Sequence, residues 1–435
     1  MNVQKLKLRL KADPRKVIIQ PLGMNKQRTK RVIDRIIKLS NSDIDKKISE
    51  VYDAFSNRHK NFETRLQENY NRVKKIVSIG KINRKTQQLI GAYFSKEYSI
   101  ESAALFNPSI VPHPAQDKTS KGELKFVMSL RATGEGHISS IEFREGIISA
   151  SGSVKIINES AFRILPKVTA YKYKEIIDKK NIKHNSLNYS KEDLMSSNYK
   201  CMFEKNSLIS ERVLFPSSNA ESMGMEDARF VKFTDEGNAK YLSTYTAYNG
   251  KSFRTQLIET KDFRNYEIGT LHGNMINDKG MALFPRKIKG KYFITSRQDG
   301  ENLYMMESDN LYQWDKARKI LQPKQIWEFV QLGNCGSPIE TKEGWLLLTH
   351  AVGPLRKYVM SAILLDLNNP YKVIAVLKEP LIEPDENERE GYVPNVVYSC
   401  GSLVHNNNLI IPYAMSDSAC GFAKIELNKI FNKFS

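Results

Sequence analysis

Phe230-Val231-Lys232-Phe233, Tyr241-Leu242-Ser243-Thr244-Tyr245-Thr246-Ala247-Tyr248 and Ser252-Phe253-Arg254-Thr255-Gln256-Leu257-Ile258-Glu259 are three short runs rich in aromatic and β-branched residues. Asp235-Glu236-Gly237-Asn238 and Asn249-Gly250-Lys251 stand between them. Asn-Gly is a strong hairpin signal, because both residues tolerate the positive φ that a tight two-residue turn demands. The unit reads as strand, turn, strand, turn, strand.

The unit recurs on either side. Lys261-Asp262-Phe263-Arg264-Asn265-Tyr266-Glu267 closes it, and Ser308-Asp309-Asn310-Leu311-Tyr312-Gln313-Trp314-Asp315 closes the next. Asp262 and Asp309 lie 47 residues apart, inside the period of about 40–50 residues of propeller blades. Further units span residues 107–148, 338–367 and 396–427. Five units predict an all-β five-bladed β-propeller, whose innermost strands bring residues distant in sequence to one central pocket. Residues 151–222, rich in Lys, Asn and Ser, fit the repeat poorly; they read as an insertion between the first two blades, with a helix at Lys174 to Lys180 and part of the segment able to supply an outer strand.

The first segment has another texture. Residues 1–90 hold 23 Lys and Arg against 8 Asp and Glu, whereas the remaining 345 residues hold 44 against 40, so most of the formal net charge of +19 belongs to this segment. Ile44, Ile48, Val51, Tyr52, Phe55, Phe62, Leu66, Tyr70 and Val73 recur at three- and four-residue steps, which predicts an amphipathic helix from Asp43 to Val77, capped by Asn41 or Ser42. Shorter helices are expected over Thr29 to Leu39 and Thr86 to Tyr98. The division expected is a basic helical extension over 1–98 and a propeller over 99–435. Aromatic residues do not interleave with the basic ones as on a nucleic-acid stacking surface, so the extension is read as packing on the main domain or a second subunit rather than on nucleic acid.

Of the 435 residues 40% are apolar and 26% charged, a globular balance. No apolar run reaches the roughly 18–20 residues of a membrane span. Lys5, Lys7, Arg9, Lys11, Arg15 and Lys16 leave no apolar stretch in the first twenty residues for a secretory signal. A cytoplasmic location without membrane partners is expected. The four cysteines (Cys201, Cys335, Cys400, Cys420) are far apart and are expected as free thiols. The seven histidines form no ligand-spaced pair, so neither a metal nor a cofactor is expected.

Gly224-Met225-Glu226-Asp227-Ala228-Arg229-Phe230 sets two carboxylates and a guanidinium at the head of a predicted inner strand. Strand alternation puts Asp227 and Arg229 on one face and Glu226 on the other. One reading is an Asp–Arg ion pair locking a blade. The other is Asp227 as a proton donor to a leaving oxygen, which Arg229 opposes by lowering the carboxyl pKa unless burial or substrate offsets it, or Arg229 turns aside.

The stretch resembles the Glu-Asp-Pro-Arg signature of glycoside hydrolase family 130, the β-mannoside phosphorylases and mannosidases, with Ala228 in place of proline. The resemblance extends through Asn107-Pro108-Ser109, Ser129-Leu130-Arg131-Ala132, Leu283-Phe284-Pro285, Gly290-Lys291-Tyr292, Gly344-Trp345-Leu346-Leu347, Tyr392-Val393-Pro394-Asn395-Val396-Val397, and Tyr413 with Asp417. It implies a five-bladed propeller with Asp227 as general acid, its proton passing through a sugar hydroxyl. It also implies that Asn107, Arg131, Glu226 and Asp417 hold the mannosyl unit of a β-manno-oligosaccharide. Four basic positions hold inorganic phosphate in the phosphorylases; they fall here on Lys279, Arg297, Gln331 and His350, so one charge is replaced by an amide, and Ser296 stands where many relatives carry histidine. No carboxylate at these four positions announces a water-activating base, and Glu328 lies nearby with its direction open. Inverting phosphorolysis to α-mannose 1-phosphate is the expectation; an inverting β-mannosidase using water is the alternative, and the missing cation is its best argument. Homo-oligomerisation through the helical extension is expected.

Overall fold

Short polar side chains decide where the N-terminal helices begin. The computed structural model describes residues 3–117, 119–170, 196–276 and 278–434; the helix expected at Lys174 to Lys180 lies outside the described residues. Helices α1 (Lys26–Ile37), α2 (Asn41–Phe55), α3 (Phe62–Lys74) and α4 (Arg84–Tyr93) follow one another. Asn25, Ser40 and Asn83 cap α1, α2 and α4 by accepting from the backbone N–H three residues on. The helix expected from Asp43 to Val77 is two helices, broken at Ser56–Arg58 and at Asn61, whose φ of 62° ends one axis and starts another. Its apolar stripe thereby folds back on itself: Ile33, Ile44, Ile48, Tyr70, Val73, Leu89 and Phe94 form one buried cluster. Gly91 lets α4 lie against the backbone of Leu66 on α3, where a Cβ would collide.

The first 98 residues are not helical throughout. Ser95–Ser99, expected to extend the last helix, is a strand paired antiparallel with Val17–Pro21, because the ladder from Val17↔Ser99 to Pro21↔Ser95 satisfies backbone groups that a helix end would leave open. Gln4–Lys11 is also a strand, on the edge of the last sheet beside Ala419–Glu426.

Strands dominate the rest. The largest sheet runs Ala104–Pro112, Leu124–Thr133, Ser139–Ile148, Gly224–Asp235, Asn238–Tyr248, Phe253–Thr260, Asn265–Thr270, Tyr199–Met202 and Lys167–Ala170, with Val154–Ile157 and Val213–Leu214 on Ser139–Ile148. Its two antiparallel halves are joined by a single parallel pairing, Gly224↔Ser139. Residues 151–222 therefore contribute outer strands to both halves, on the described residues. A second sheet holds Ala282–Leu283, Tyr292–Ser296, Leu303–Ser308 and Ala317–Leu321; a third holds Gln331–Asn334, Trp345–Val352, Tyr358–Leu365 and Val373–Val376. The last holds Val397–Tyr398, Asn408–Met415, Ala419–Glu426 and the N-terminal Gln4–Lys11.

The three sequence-predicted strands appear as Gly224–Asp235, Asn238–Tyr248 and Phe253–Thr260, with the Asn249-Gly250 turn between the second and third. Separate apolar clusters fill the spaces between sheets and between the two halves of the largest one. Phe143, Phe230, Phe263 and Tyr266 centre one; Phe233, Leu257, Met306 and Trp314 another; Phe284, Phe293 and Trp345 a third. The inner strands are tied to one another by polar groups. Ser109 Oγ accepts from Phe230 N at 3.2 Å, and Cys400 N donates to Pro108 O at 2.8 Å.

Candidate active site

Two β-bulges build the site. The ladder slips between Phe106 and Ser109 on one inner strand and between Glu226 and Arg229 on the next. Each bulge holds a residue in the left-handed region, Asn107 (φ 49°) and Asp227 (φ 55°). Asn and Asp accept that conformation more readily than other side chains, and a bulge re-aims the residue it contains. The alternation expected for an extended chain is thereby overturned: Glu226 and Asp227 both reach Arg131, whose Nη2 donates to Glu226 Oε1 at 2.8 Å and Nη1 to Asp227 Oδ1 at 3.3 Å. Asn107 Nδ2 donates to the same Asp227 oxygen at 2.7 Å. Arg131 is held in turn by Ser139 Oγ at 2.9 Å and by stacking over Phe106.

Arg229 turns aside from the carboxylate. Its Nη1 donates to the Asp227 backbone carbonyl at 2.8 Å and its Nη2 to Tyr398 Oη at 2.7 Å, leaving Asp227 Oδ2 at 3.8 Å. Burial pushes the Asp227 carboxyl up, but Arg131, Arg229, the Asn107 hydrogen bond and Lys279 together hold it below the ordinary carboxylate range. Asp417 is its opposite: burial and the nearby Asp227 charge push it up to about 6 against Arg131 and Arg356.

These residues open onto one cavity of about 200 Å³. Its lining joins Asn107, Arg131, Asp227 and Asp417 to Lys279, Arg297 and His350, so seven of the nine residues singled out from sequence share it. Glu226 stands immediately behind Arg131. Gln331 is reached through His350: its Nε2 lies 3.3 Å from His350 Nε2, while His350 Nδ1 lies 3.3 Å from Asn334 O. The neutral tautomer with the proton on Nδ1 satisfies both contacts. Burial, then Arg297 and Arg229, push His350 down to about 3. The positive charge beside the cavity therefore resides on lysine and arginine, not on histidine. Gly333 leaves the space that the imidazole fills.

Lys279 Nζ stands 3.9 Å from Glu226 Oε2, and Arg297 Nε 3.3 Å from Asp278 Oδ2. Glu328, whose direction the sequence left open, turns inward to its own loop, accepting from Lys324 N at 2.5 Å and Gln325 N at 2.7 Å. Asn107 Oδ1 is buried and has no hydrogen-bond partner, an acceptor aimed at nothing in the protein. Tyr398, Tyr358, Asn334 and Arg356 also line the cavity and were missed from sequence. Tyr398 directly follows the Tyr392-to-Val397 stretch, which could have drawn attention to it. Arg356 had no signal; it lies in a hairpin where Leu355 and Arg356 both have positive φ. Among the described residues, no group of three or more His, Cys, Asp or Glu could hold a metal ion, and no helix is long and apolar enough to cross a membrane.

A family model described as beta-1,4-mannooligosaccharide phosphorylase matches residues 151–435. A 1,2-beta-oligomannan phosphorylase of Thermoanaerobacter sp. (strain X514) is 36% identical over 225 residues, covering 50% of this chain and 73% of the relative. A beta-1,2-mannobiose phosphorylase of Listeria innocua serovar 6a is 30% identical over 230 residues, covering 51% of this chain and 62% of the relative. Among solved structures, the Listeria innocua beta-1,2-mannobiose phosphorylase in complex with beta-1,2-mannobiose aligns with a TM-score of 0.50 at 20% identity, over 77% of this chain and 92% of its own. Another, from work describing glycoside hydrolases within the GH130 family that target beta-1,2 mannosidic linkages in Candida mannan, aligns with a TM-score of 0.52 at 20% identity, over 77% and 87%. At such identities the structural likeness speaks for the β-rich fold alone.

Proposed function

The chain belongs to glycoside hydrolase family 130, and we propose that it cleaves β-mannosidic linkages of manno-oligosaccharides by inverting phosphorolysis. The observation that carries this reading is the meeting, in one cavity, of Asp227 and its Asn107 and Arg131 partners with the cations Lys279 and Arg297. We assign the mannosyl unit to Asn107, Arg131, Glu226 and Asp417. Asn107, Arg131 and Asp417 all line the cavity, and Glu226 is hydrogen-bonded to Arg131, which supports this.

Phosphate would lie toward Lys279 and Arg297, with His350 and Gln331 as neutral hydrogen-bonding neighbours. Its oxygen attacks the anomeric carbon as the glycosidic C–O bond breaks, and the leaving oxygen takes a proton that Asp227 supplies through a sugar hydroxyl. In the empty site Asp227 is held ionised. A bound sugar excludes water and the phosphate dianion adds negative charge, and both raise the carboxyl's affinity for a proton. Substrate binding itself thus prepares the site. Glu328, folded onto its own loop, offers no base for water and favours phosphate over hydrolysis.

Incubation with β-1,2-, β-1,3- and β-1,4-linked mannosides, with and without inorganic phosphate, tests the reading. Phosphate-dependent α-mannose 1-phosphate is expected; free mannose at the same rate without phosphate would make the enzyme an inverting β-mannosidase, the reading that the uncharged Gln331 favours. No cofactor enters this chemistry, and phosphate is the co-substrate. We read the five antiparallel strand groups as five blades, because the leading strand of each, or the segment before it, contributes to the cavity lining. A crystal structure with any other number of radially arranged sheets would refute that count. We further assign residues 1–98 to self-association through the exposed Phe55 and Tyr93 of the helical face; sedimentation of a Phe55→Glu, Tyr93→Glu variant should show fewer subunits than the parent chain, and an unchanged number would exclude this surface.

A further inference from the structure

No residue before Asn107 lines the cavity, yet the N-terminal strand is wired to it through one buried carboxylate. Glu388 is 2% exposed. Lys5 Nζ lies 2.5 Å from its Oε2, and Arg9 Nη2 3.6 Å from its Oε1. Tyr413 Oη donates to Oε1 at 2.6 Å. Lys5 also binds Asp385 Oδ2 at 2.9 Å and Glu383 O at 3.1 Å, so one lysine gathers the whole loop.

The same loop grips the turn that carries Asp417. Ser416 Oγ donates to Glu388 O at 2.6 Å. Ser416 N donates to Val396 O at 2.7 Å, and Val393 N to Ser416 O at 3.1 Å. Gly391 packs so closely on Ser416 that a Cβ would collide with it. Ser416 (φ 45°) and Asp417 (φ 50°) are consecutive non-glycine residues in the left-handed region, a conformation that persists only where surrounding contacts over-determine it. The turn faces the cavity, where Asp417 meets the charges of Asp227, Arg131 and Arg356.

We propose that Glu388, clamped by Lys5 and Arg9 of the N-terminal strand, is a positioning residue that holds the Ser416-Asp417 turn in its strained conformation and so sets Asp417 against the sugar. Without the two cations, a buried carboxylate is left uncompensated and must take up a proton or move toward water. Either change loosens the 383–391 loop and, with it, the Ser416 contacts. This rests on the reading of the cavity as a mannoside site.

The test is the full-length K5M/R9M double variant beside E388Q, each compared with K5R/R9K. A displacement of about 1 Å at a binding group can cost about 10²-fold. A loss of about that size in kcat/KM is expected in K5M/R9M, carried by the KM for mannoside with the KM for phosphate unchanged, and K5R/R9K should recover most of it. E388Q, which removes the charge and not the bulk, should fall in the same direction. A fall in kcat with both KM values unchanged would mean lost folded enzyme and would overturn the proposal, as would parental kinetics in both variants. Crystal structures of the parent and K5M/R9M decide independently of any activity: identical backbone at 416 and 417 refutes the clamp, whereas a relaxed turn supports it. A parent inactive on every mannoside would instead refute the functional reading and leave that structural comparison standing.

Discussion

Two clusters of carboxylates and arginines, alike in residue type, have opposite fates in this molecule. In one, Glu101, Glu142, Arg144 and Arg163 are sealed between the N-terminal segment, the first strands of the largest sheet and residue 163, with side chains at most 3% exposed. Arg163 Nε donates to Glu142 Oε2 at 2.6 Å, and Arg144 Nη2 to Glu101 Oε1 at 2.7 Å. In the other, Arg131, Glu226 and Asp227 keep 12–19% of their side chains accessible beside the cavity. A closed set of charges holds segments together; an open one has something left to offer a ligand.

The sharpest way to break that contrast is Asp227→Asn, which keeps shape and hydrogen bonding. Activity should fall by about 10³-fold with little change in melting temperature, the scale of a lost acid catalyst; a milder loss would move Asp227 into the company of the structural carboxylates. The converse substitution is Arg163→Met. Urea unfolding should show a loss of about 3 kcal/mol, because a buried carboxylate pair loses one of its two arginines, while KM values of the remaining folded enzyme stay as they were.

Two buried groups, Glu101 in the sealed cluster and His350 at the cavity, carry opposite pH signatures. Glu101, pushed up to about 7 by burial and by Glu142, binds its proton more tightly folded than unfolded, so its contribution to stability is full below about pH 4.5 and is lost as pH rises through 7. His350, pushed down to about 3, binds its proton less tightly folded than unfolded. Stability is therefore lost as pH falls below about 6.5, at up to about 1.4 kcal/mol per pH unit. His350→Gln should flatten the acid side of the unfolding free-energy profile and Glu101→Gln the side toward pH 7; matching profiles for the two variants would dissolve the distinction. The smallest effect is expected from Gln331→Lys. A cation restored next to His350 should lower the KM for phosphate about tenfold, the worth of one charge-assisted hydrogen bond, and an unchanged KM would place the anion away from residue 331.

Much of this was legible from the chain. The aromatic and β-branched runs with Asn249-Gly250 between them specify strands and a hairpin through local preference, and the recurrence of Asp262 and Asp309 specifies the repeat. Family resemblance named the residues that the fold then gathered, from Asn107 to Asp417. What could not be read was any feature decided by distant partners. The strand Gln4–Lys11 looks like a solvated basic tail until its ladder with Ala419–Glu426 exists. The break at Asn61 follows from α3 folding back onto α4, while the apolar period alone runs unbroken through it.

Arg229 lowers the Asp227 carboxyl as expected, and Tyr398, 169 residues away, fixes where its guanidinium points. By itself, the sequence determined the strands, the turns, the repeat and the kinds of chemical group on offer, since these depend on neighbours in the chain. Tertiary structure alone decided that bulges would turn Asn107 and Asp227 toward one another, that Glu226 and Asp227 would share Arg131, and that His350 would lie neutral in a basic cavity. Direction and protonation are properties of surroundings, and the surroundings of each of these groups are assembled from strands far apart in the chain.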